Sequence, residues 1–384
     1  MKLIKKFFLS IFIFIGTAVL LLFIFDYEYI LKGVWVTYLH GHSSVFINDH
    51  KYFDNRIIEN SPDVTPWPLS EEYNLVHPTD SLKAMNRELG TVAFLIIKND
   101  SILYENYAPG YGTDSKTNSF SMAKSIVTAL LGRAIKEGYI KSLEQPVSAF
   151  YPQFDDSLTV GDLASMASGL NWQEDYSNPF SMTARAYFDE NIHPLILELE
   201  VVEEPGEEFE YLSGNTQLLG MVISKATGRS LSEYLSENFW KPMGMRNNAL
   251  WQLDSRESGL EKAYCCIASN ARDFAKIGKL YNDFGQWEGK QLLDSAYVAK
   301  SIRPRFAESP YYGYGFWLTE FRGKEIFYMR GILGQYVIVV PEDDLIIVRL
   351  GHERGPKKEG KHHPEDLYGY LNESYKMLDQ VGRS

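Results

Sequence analysis

An uncharged, almost wholly apolar run from Phe7 to Phe25 constrains this chain before anything else does. As a helix its 19 residues cover about 28 Å, close to the thickness of a bilayer's hydrocarbon core. Lys2, Lys5 and Lys6 precede the run, and Asp26 and Glu28 follow it. The basic flank favours the cytoplasmic side, which sends the rest of the chain outside. Tyr27, Tyr29 and Trp35 suit the far interface. A cleaved signal peptide would have a shorter apolar core and a small-residue cleavage site, and no lipid-carrying cysteine follows. The expectation is a cytoplasmic stub and transmembrane signal anchor over residues 1–30, with an extracytoplasmic remainder on the periplasmic or extracellular side.

That remainder has a globular composition. Of all 384 residues, 45% are hydrophobic and 23% charged, within the range of folded proteins. The net charge of -12 and the lack of any long basic run exclude a nucleic-acid partner, which needs a cationic face. Cys265 and Cys266 are adjacent. Neighbouring cysteines rarely meet disulfide geometry, so both are expected as free, buried thiols. Among the histidines, His40 and His42 have strand-like spacing with His50 near, but an isolated histidine pair is usually no ligand set, and no metal is expected. No phosphate-cradling glycine loop occurs, so no cofactor is expected either.

Strand signals lie at both ends of the remainder and helical signals in the middle. "TVAFLIIKNDSILYENYA" reads as a hairpin turning at Lys98-Asn99-Asp100. "YYGYGFWLTEF", "KEIFYMRGI", "QYVIVVP" and "LIIVRLG" are later strands, and "PEDLYGYLNESYKMLDQ" is a closing helix. Residues between about 140 and 300 are helices and loops. This order predicts an α+β fold: one antiparallel sheet built from both ends of the chain, flanked by helices, with a helical insertion and a cleft between the two. Residues 31–80, rich in turn formers, read as an extended connection with one or two short elements, and 81–384 as the folded domain.

The chemistry points to "NSFSMAKSIVTALLGRAIKEGYI", which holds Ser121 three residues before Lys124. On a helix those positions share a face. A serine hydroxyl becomes a nucleophile when a base takes its proton, and a desolvated lysine can be that base. A backbone N–H at a helix start can stabilise an oxyanion. Against this stands the ordinary reading of Ser121 as a helix cap and Lys124 as a solvated residue. The apolar run after Lys124 argues for burial.

"SFSMAKS" resembles the nucleophile motif of the serine β-lactamase and penicillin-binding protein superfamily. "SLTVGDLASMASGLNW", "PGEEFEYLSGNTQLLGMVISKATGRSLSEYLSENFWKPMGM", "NARDFAKIGKLYNDFG" and "YYGYGFWL" resemble its class C-like branch, in order. "YLSGN" is most similar to the pattern of 6-aminohexanoate-oligomer hydrolases and related carboxylesterases. The resemblance implies the β-lactamase-like sheet and helical insertion. It makes Ser121 the nucleophile, Lys124 the base and Tyr211 a proton shuttle; either Ser213 or Asn215 bonds the substrate or Lys124, or merely caps the next helix.

The family's third motif, usually Lys-Thr-Gly or His-x-Gly, is replaced by Met329-Arg330-Gly331. The preferred alignment puts Gly331 in the glycine slot and the N–H of Ile332 beside that of Ser121 in the oxyanion hole; Gly334 and Gln335 are the alternative. Arg330 is either a stand-in for the motif's lysine on a substrate carboxylate or an outward strand residue. Glu174 and Asp175, in a loop of the insertion, either select cationic substrates or are solvated. The expected function is a membrane-anchored serine hydrolase acting on a small ester or amide through an acyl-serine. A penicillin or cell-wall-fragment sensor, or a β-lactamase or D,D-peptidase, is the rival.

Overall fold

The structure is a computed structural model describing residues 2–358 and 360–381. Helix α1 (Lys2–Ile24) is long and apolar enough to cross a membrane, and none of its apolar stretch is buried among the described residues. After four residues α2 (Tyr29–Val36) begins. The strands are β1 (Asn55–Ile58), β2 (Thr91–Lys98), β3 (Ser101–Tyr107), β4 (Thr117–Asn118), β5 (Ala249–Gln252), β6 (Ile267–Ser269), β7 (Gln286–Trp287), β8 (Lys290–Gln291), β9 (Trp317–Phe321), β10 (Lys324–Gly331), β11 (Gln335–Val340) and β12 (Leu345–Gly351).

The main sheet is antiparallel in the order β3-β2-β12-β11-β10-β9, so the two ends of the domain meet where β2 pairs with β12. The β2–β3 hairpin turns through Asn99 and Asp100, both at positive φ, as a tight two-residue hairpin requires. Both faces of this sheet are covered, which explains its near-continuous apolar strands. Leu95 and Ile97 of β2, Val337 and Val339 of β11, and Ile346 and Val348 of β12 face the larger core. Their neighbours Phe94, Ile96, Tyr336, Ile338, Leu345 and Ile347 face a smaller core shared with the closing helix Glu365–Leu378. On the larger-core side, the helix Ala271–Asn282 approaches so closely that a Cβ on Gly278 would lie 2.8 Å from Val337.

The four-stranded sheet runs β1-β5-β6-β4. Here residues 31–80 differ from the extended connection expected of them. Strand β1 pairs with β5 from Asn55↔Gln252 to Ile58↔Ala249. Val36, Phe46, Ile47, Phe53, Ile58 and Trp67 are buried in the larger core. The segment is therefore part of the domain's packing. The expectation of free thiols is also corrected: Cys265 and Cys266 are joined as a disulfide. Cys266 has φ +74°, in the left-handed region that few non-glycine residues adopt, so the backbone at this pair is not an ordinary one.

Candidate active site

The short strand β4 delivers the chain to Ser121. Ser119 N–H donates to the Ile267 carbonyl (2.8 Å), and its hydroxyl accepts from Ile267 N–H (3.1 Å). Asn118 N–H donates to Ile47 O (2.7 Å), and the Asn118 side chain accepts from Phe120 N–H (2.9 Å). Phe120, buried and at φ +45°, makes the turn into the helix Met122–Lys136. Ser121 occupies the cap position of that helix, yet its hydroxyl caps no backbone N–H. It faces Lys124 instead, at 3.1 Å.

Lys124 is 1% exposed. Its Nζ also reaches Ser213 Oγ (3.1 Å) and the Tyr264 carbonyl (2.9 Å). The protons can be assigned from the partners. The Ser213 hydroxyl donates to Glu174 Oε1 at 2.8 Å, so toward Lys124 it can only accept. The Tyr264 carbonyl can only accept. Lys124 Nζ donates to both of these acceptors and lies 3.1 Å from Ser121 Oγ, within reach for proton transfer.

Glu174, read from the sequence as a selector of cations or a solvated residue, is the hub of this network. It accepts from the N–H of Ser213 (2.7 Å), from Trp172 Nε1 (2.8 Å) and from the Tyr176 hydroxyl, besides Ser213 Oγ. Ser213 thus contacts Lys124. Asn215 does not. It is wholly buried, accepts from Ser168 Oγ and donates to Met166 Sδ (3.6 Å), and it lies outside the lining of the cavity. The helix Ser213–Thr227 starts at Ser213, and residues two apart on a helix point in different directions.

A cavity of about 680 Å³ opens beside Ser121, lined also by Tyr211, Ser213, Tyr264, Arg330, Gly331 and Ile332. Tyr211 packs on Trp317 (ring centroids 5.2 Å) with Lys124 Nζ 5.1 Å from its own ring centre, and its hydroxyl has no hydrogen-bond partner among the described residues. The Tyr264 phenol is buried and has no hydrogen-bond partner among the described residues; burial, and then the charges of Glu174 and Asp49, push it well above the ordinary tyrosine range. Nothing in the sequence marks Tyr264, because its part is played by a backbone carbonyl.

On the opposite side, Gly331 ends β10 against the segment that carries Ser121. A Cβ there would lie 2.2 Å from the Ser119 carbonyl oxygen. The N–H groups of Ser121 and Ile332 enter none of the described hydrogen bonds, and both residues line the cavity. Gln335 lies outside that lining, its amide bonded to the carbonyls of Gly351 (2.7 Å) and Ile332 (3.2 Å). The intervening turn is clamped by the buried Arg349, which donates to the carbonyls of Leu333 and Gly334, both at 2.8 Å. The Arg330 guanidinium lies 3.4 Å from the Trp317 ring centre and donates to the His362 carbonyl at 2.8 Å.

Behind the site, Asp49 bonds Asn118 (2.9 Å) and Tyr187 (2.6 Å), and burial raises its pKa to about 6. Burial, and then the charge of Lys32, lower Lys262 to about 7. The histidines considered as a metal pair are otherwise engaged: His40 packs on Tyr52 (4.0 Å) and His42 on Phe46 (3.6 Å).

The Beta-lactamase family matches residues 79–368. The 6-aminohexanoate-dimer hydrolase of Paenarthrobacter ureafaciens is 26% identical over 323 residues, 77% of this chain and 80% of that protein. A Bacillus anthracis structure provisionally named for the same activity superposes with TM-score 0.73 at 21% identity, over 86% of this chain and 92% of its own. A family VIII carboxylesterase superposes with TM-score 0.63 at 16% identity, over 82% and 99%. With a family match over three quarters of its length and the fold to accompany it, this chain belongs to the Beta-lactamase family and is a serine hydrolase of that fold.

Proposed function

We propose that the chain is a membrane-anchored hydrolase that cleaves an ester or amide through an acyl-Ser121 intermediate. The observation that carries this reading is the placement of Lys124: its buried Nζ lies 3.1 Å from Ser121 Oγ and is held there by the Ser213 hydroxyl (3.1 Å) and the Tyr264 carbonyl (2.9 Å). Ser121 Oγ bonds to the substrate carbonyl carbon as its proton passes to Lys124. The N–H groups of Ser121 and Ile332 receive the oxyanion. Collapse breaks the bond to the alcohol or amine, which leaves with a proton delivered through Tyr211. Water then attacks the acyl-serine, releases the carboxylic acid and restores the hydroxyl. Ser213 and Glu174 position Lys124. Gly331 admits the strand edge to the substrate. The carboxylesterase and 6-aminohexanoate-dimer hydrolase relatives bracket the ester and amide substrate classes.

The proposed organisation is a cytoplasmic stub and signal anchor over residues 1–30, with residues 31–80 and the catalytic portion 81–384 outside the cytoplasm, on the argument of the Lys2, Lys5 and Lys6 flank. A fluorophosphonate probe should label Ser121, and the labelled protein should lose turnover of p-nitrophenyl esters. An adduct mapped to any other serine overturns the assignment. Labelling without turnover favours the sensor. Alkaline phosphatase fused near residue 60 should be active; an inactive fusion, with an active cytoplasmic reporter at the same place, reverses the topology.

A further inference from the structure

One wall of the catalytic cavity comes from an unexpected part of the chain. Tyr29, Ile30, Val34 and Tyr38, in α2 and the turn after it, line the same cavity as Ser121 and Tyr211. Only Phe25–Glu28 separate α2 from the end of α1. Five residue steps span at most about 18 Å. The wall therefore begins within that distance of the membrane-spanning stretch. The segment is fastened there. Tyr29 donates to the Pro179 carbonyl (3.1 Å), Tyr27 packs edge-on against Phe180 (5.3 Å), Asp26 pairs with Arg185, and a Cβ on Gly33 would come within 3.2 Å of the Phe188 ring.

The outer surface of this wall is apolar. Trp35, Tyr38, Leu39 and Phe180 are all exposed, Leu39 by 72%. Aromatic and aliphatic side chains in this position match a membrane interface, and the α1 helix beside them supplies one. Inside, Ile30, Val34 and Phe188 present hydrocarbon toward the cavity, and no charged residue of α2 lines it.

We infer that the acyl group of the substrate is a hydrocarbon chain that enters from the membrane phase and lies along α2, with its carbonyl at Ser121. This makes the enzyme selective for amphiphilic esters or amides, and Ile30 and Val34 specificity-determining residues. The inference rests on the anchored-hydrolase reading above. Each methylene buried along the wall should raise kcat/KM about fourfold until the wall is covered.

The test uses the full-length chain in phosphatidylcholine/phosphatidylglycerol vesicles, with p-nitrophenyl acetate, butyrate, octanoate and decanoate below their aggregation limits. The leaving group is constant, so only the acyl chain varies. The octanoate-to-acetate ratio of kcat/KM should exceed tenfold. Val34→Asp, which puts a carboxylate in the wall, should cut that ratio at least tenfold, and Val34→Leu should preserve it. A ratio near one with fluorophosphonate labelling of Ser121 intact overturns the inference and leaves the hydrolase reading standing. A high ratio that Val34→Asp does not change also overturns it, because the chain then lies elsewhere. Absence of both labelling and ester turnover overturns the hydrolase reading, and the inference with it.

Discussion

The two walls of the cavity are built on different principles. The wall that holds Ser121, Lys124, Ser213 and Glu174 is a hydrogen-bond network in which each side chain has particular partners. The wall formed by α2 is held by ring packing, the Tyr29 hydroxyl-to-carbonyl bond and the ion pairs Asp26–Arg185 and Lys32–Glu190, and part of its apolar surface is open. Hydrogen bonds are directional, and an unmade one in a buried site is costly. Apolar contacts are tolerant of exchange between side chains of similar volume. Changes to the first wall should therefore act on kcat, and changes to the second on which substrate is preferred.

The largest expected effect is at Ser121, the proposed nucleophile. Ser121→Ala should lower kcat at least about 10⁴-fold, as loss of the nucleophile does in other serine hydrolases, and leave the melting temperature within a few degrees. Substantial residual turnover would mean that another group attacks. Glu174→Gln comes next. The amide can itself donate, so the Ser213 hydroxyl is no longer committed to it and Lys124 loses a fixed acceptor. A fall of about 10–100-fold in kcat with KM nearly constant is expected, since a charge-assisted hydrogen bond contributes about 1.5–3 kcal/mol. An effect on KM alone would place Glu174 with the substrate-sorting wall.

Arg330 stands between the two walls. Its guanidinium is engaged by Trp317 and the His362 carbonyl. Esters should accordingly be turned over at least about tenfold better than nitrocefin, whose carboxylate would need that charge. Nitrocefin hydrolysis at or above the ester rate, lost in Arg330→Ala, would instead make Arg330 the replacement for the missing motif lysine.

The smallest effect concerns the seam, where Lys262 donates to the Tyr187 carbonyl behind both walls. Its pKa is lowered from 10.5 to about 7. Between those values the unfolded chain holds a proton that the folded one releases, so stability rises with pH across this window and falls as pH is lowered toward 7. This group alone should add about 2 kcal/mol between pH 7 and pH 9. Urea melts at the two pH values should show a smaller gain for Lys262→Met. Equal gains would show that Lys262 titrates normally.

The main sheet was legible because its strands are long apolar runs punctuated by turn residues, as in β2, Asn99-Asp100 and β3. Strand β1 was not. "NRII" is four residues long and its partner β5 lies nearly 200 positions downstream, so no local pattern announces the pair. The Ser121–Lys124 contact was legible because i and i+3 on a helix must meet. Placing Asn215 with Ser213 neglected that i and i+2 do not. Glu174 was seen as a loop acid near the cleft, but its partner Ser213 is 39 residues away, and only folding joins them.

Gly331 inverts the usual meaning of an alanine scan. At Ser121, Lys124 or Tyr211 the substitution deletes atoms, and the deficit measures a lost interaction. At Gly331 it adds an atom, 2.2 Å from the Ser119 carbonyl. The deficit there would measure how little clearance the strand edge and the Ser121 segment can spare. A position that contributes no side-chain atom would then score among the most sensitive in the site.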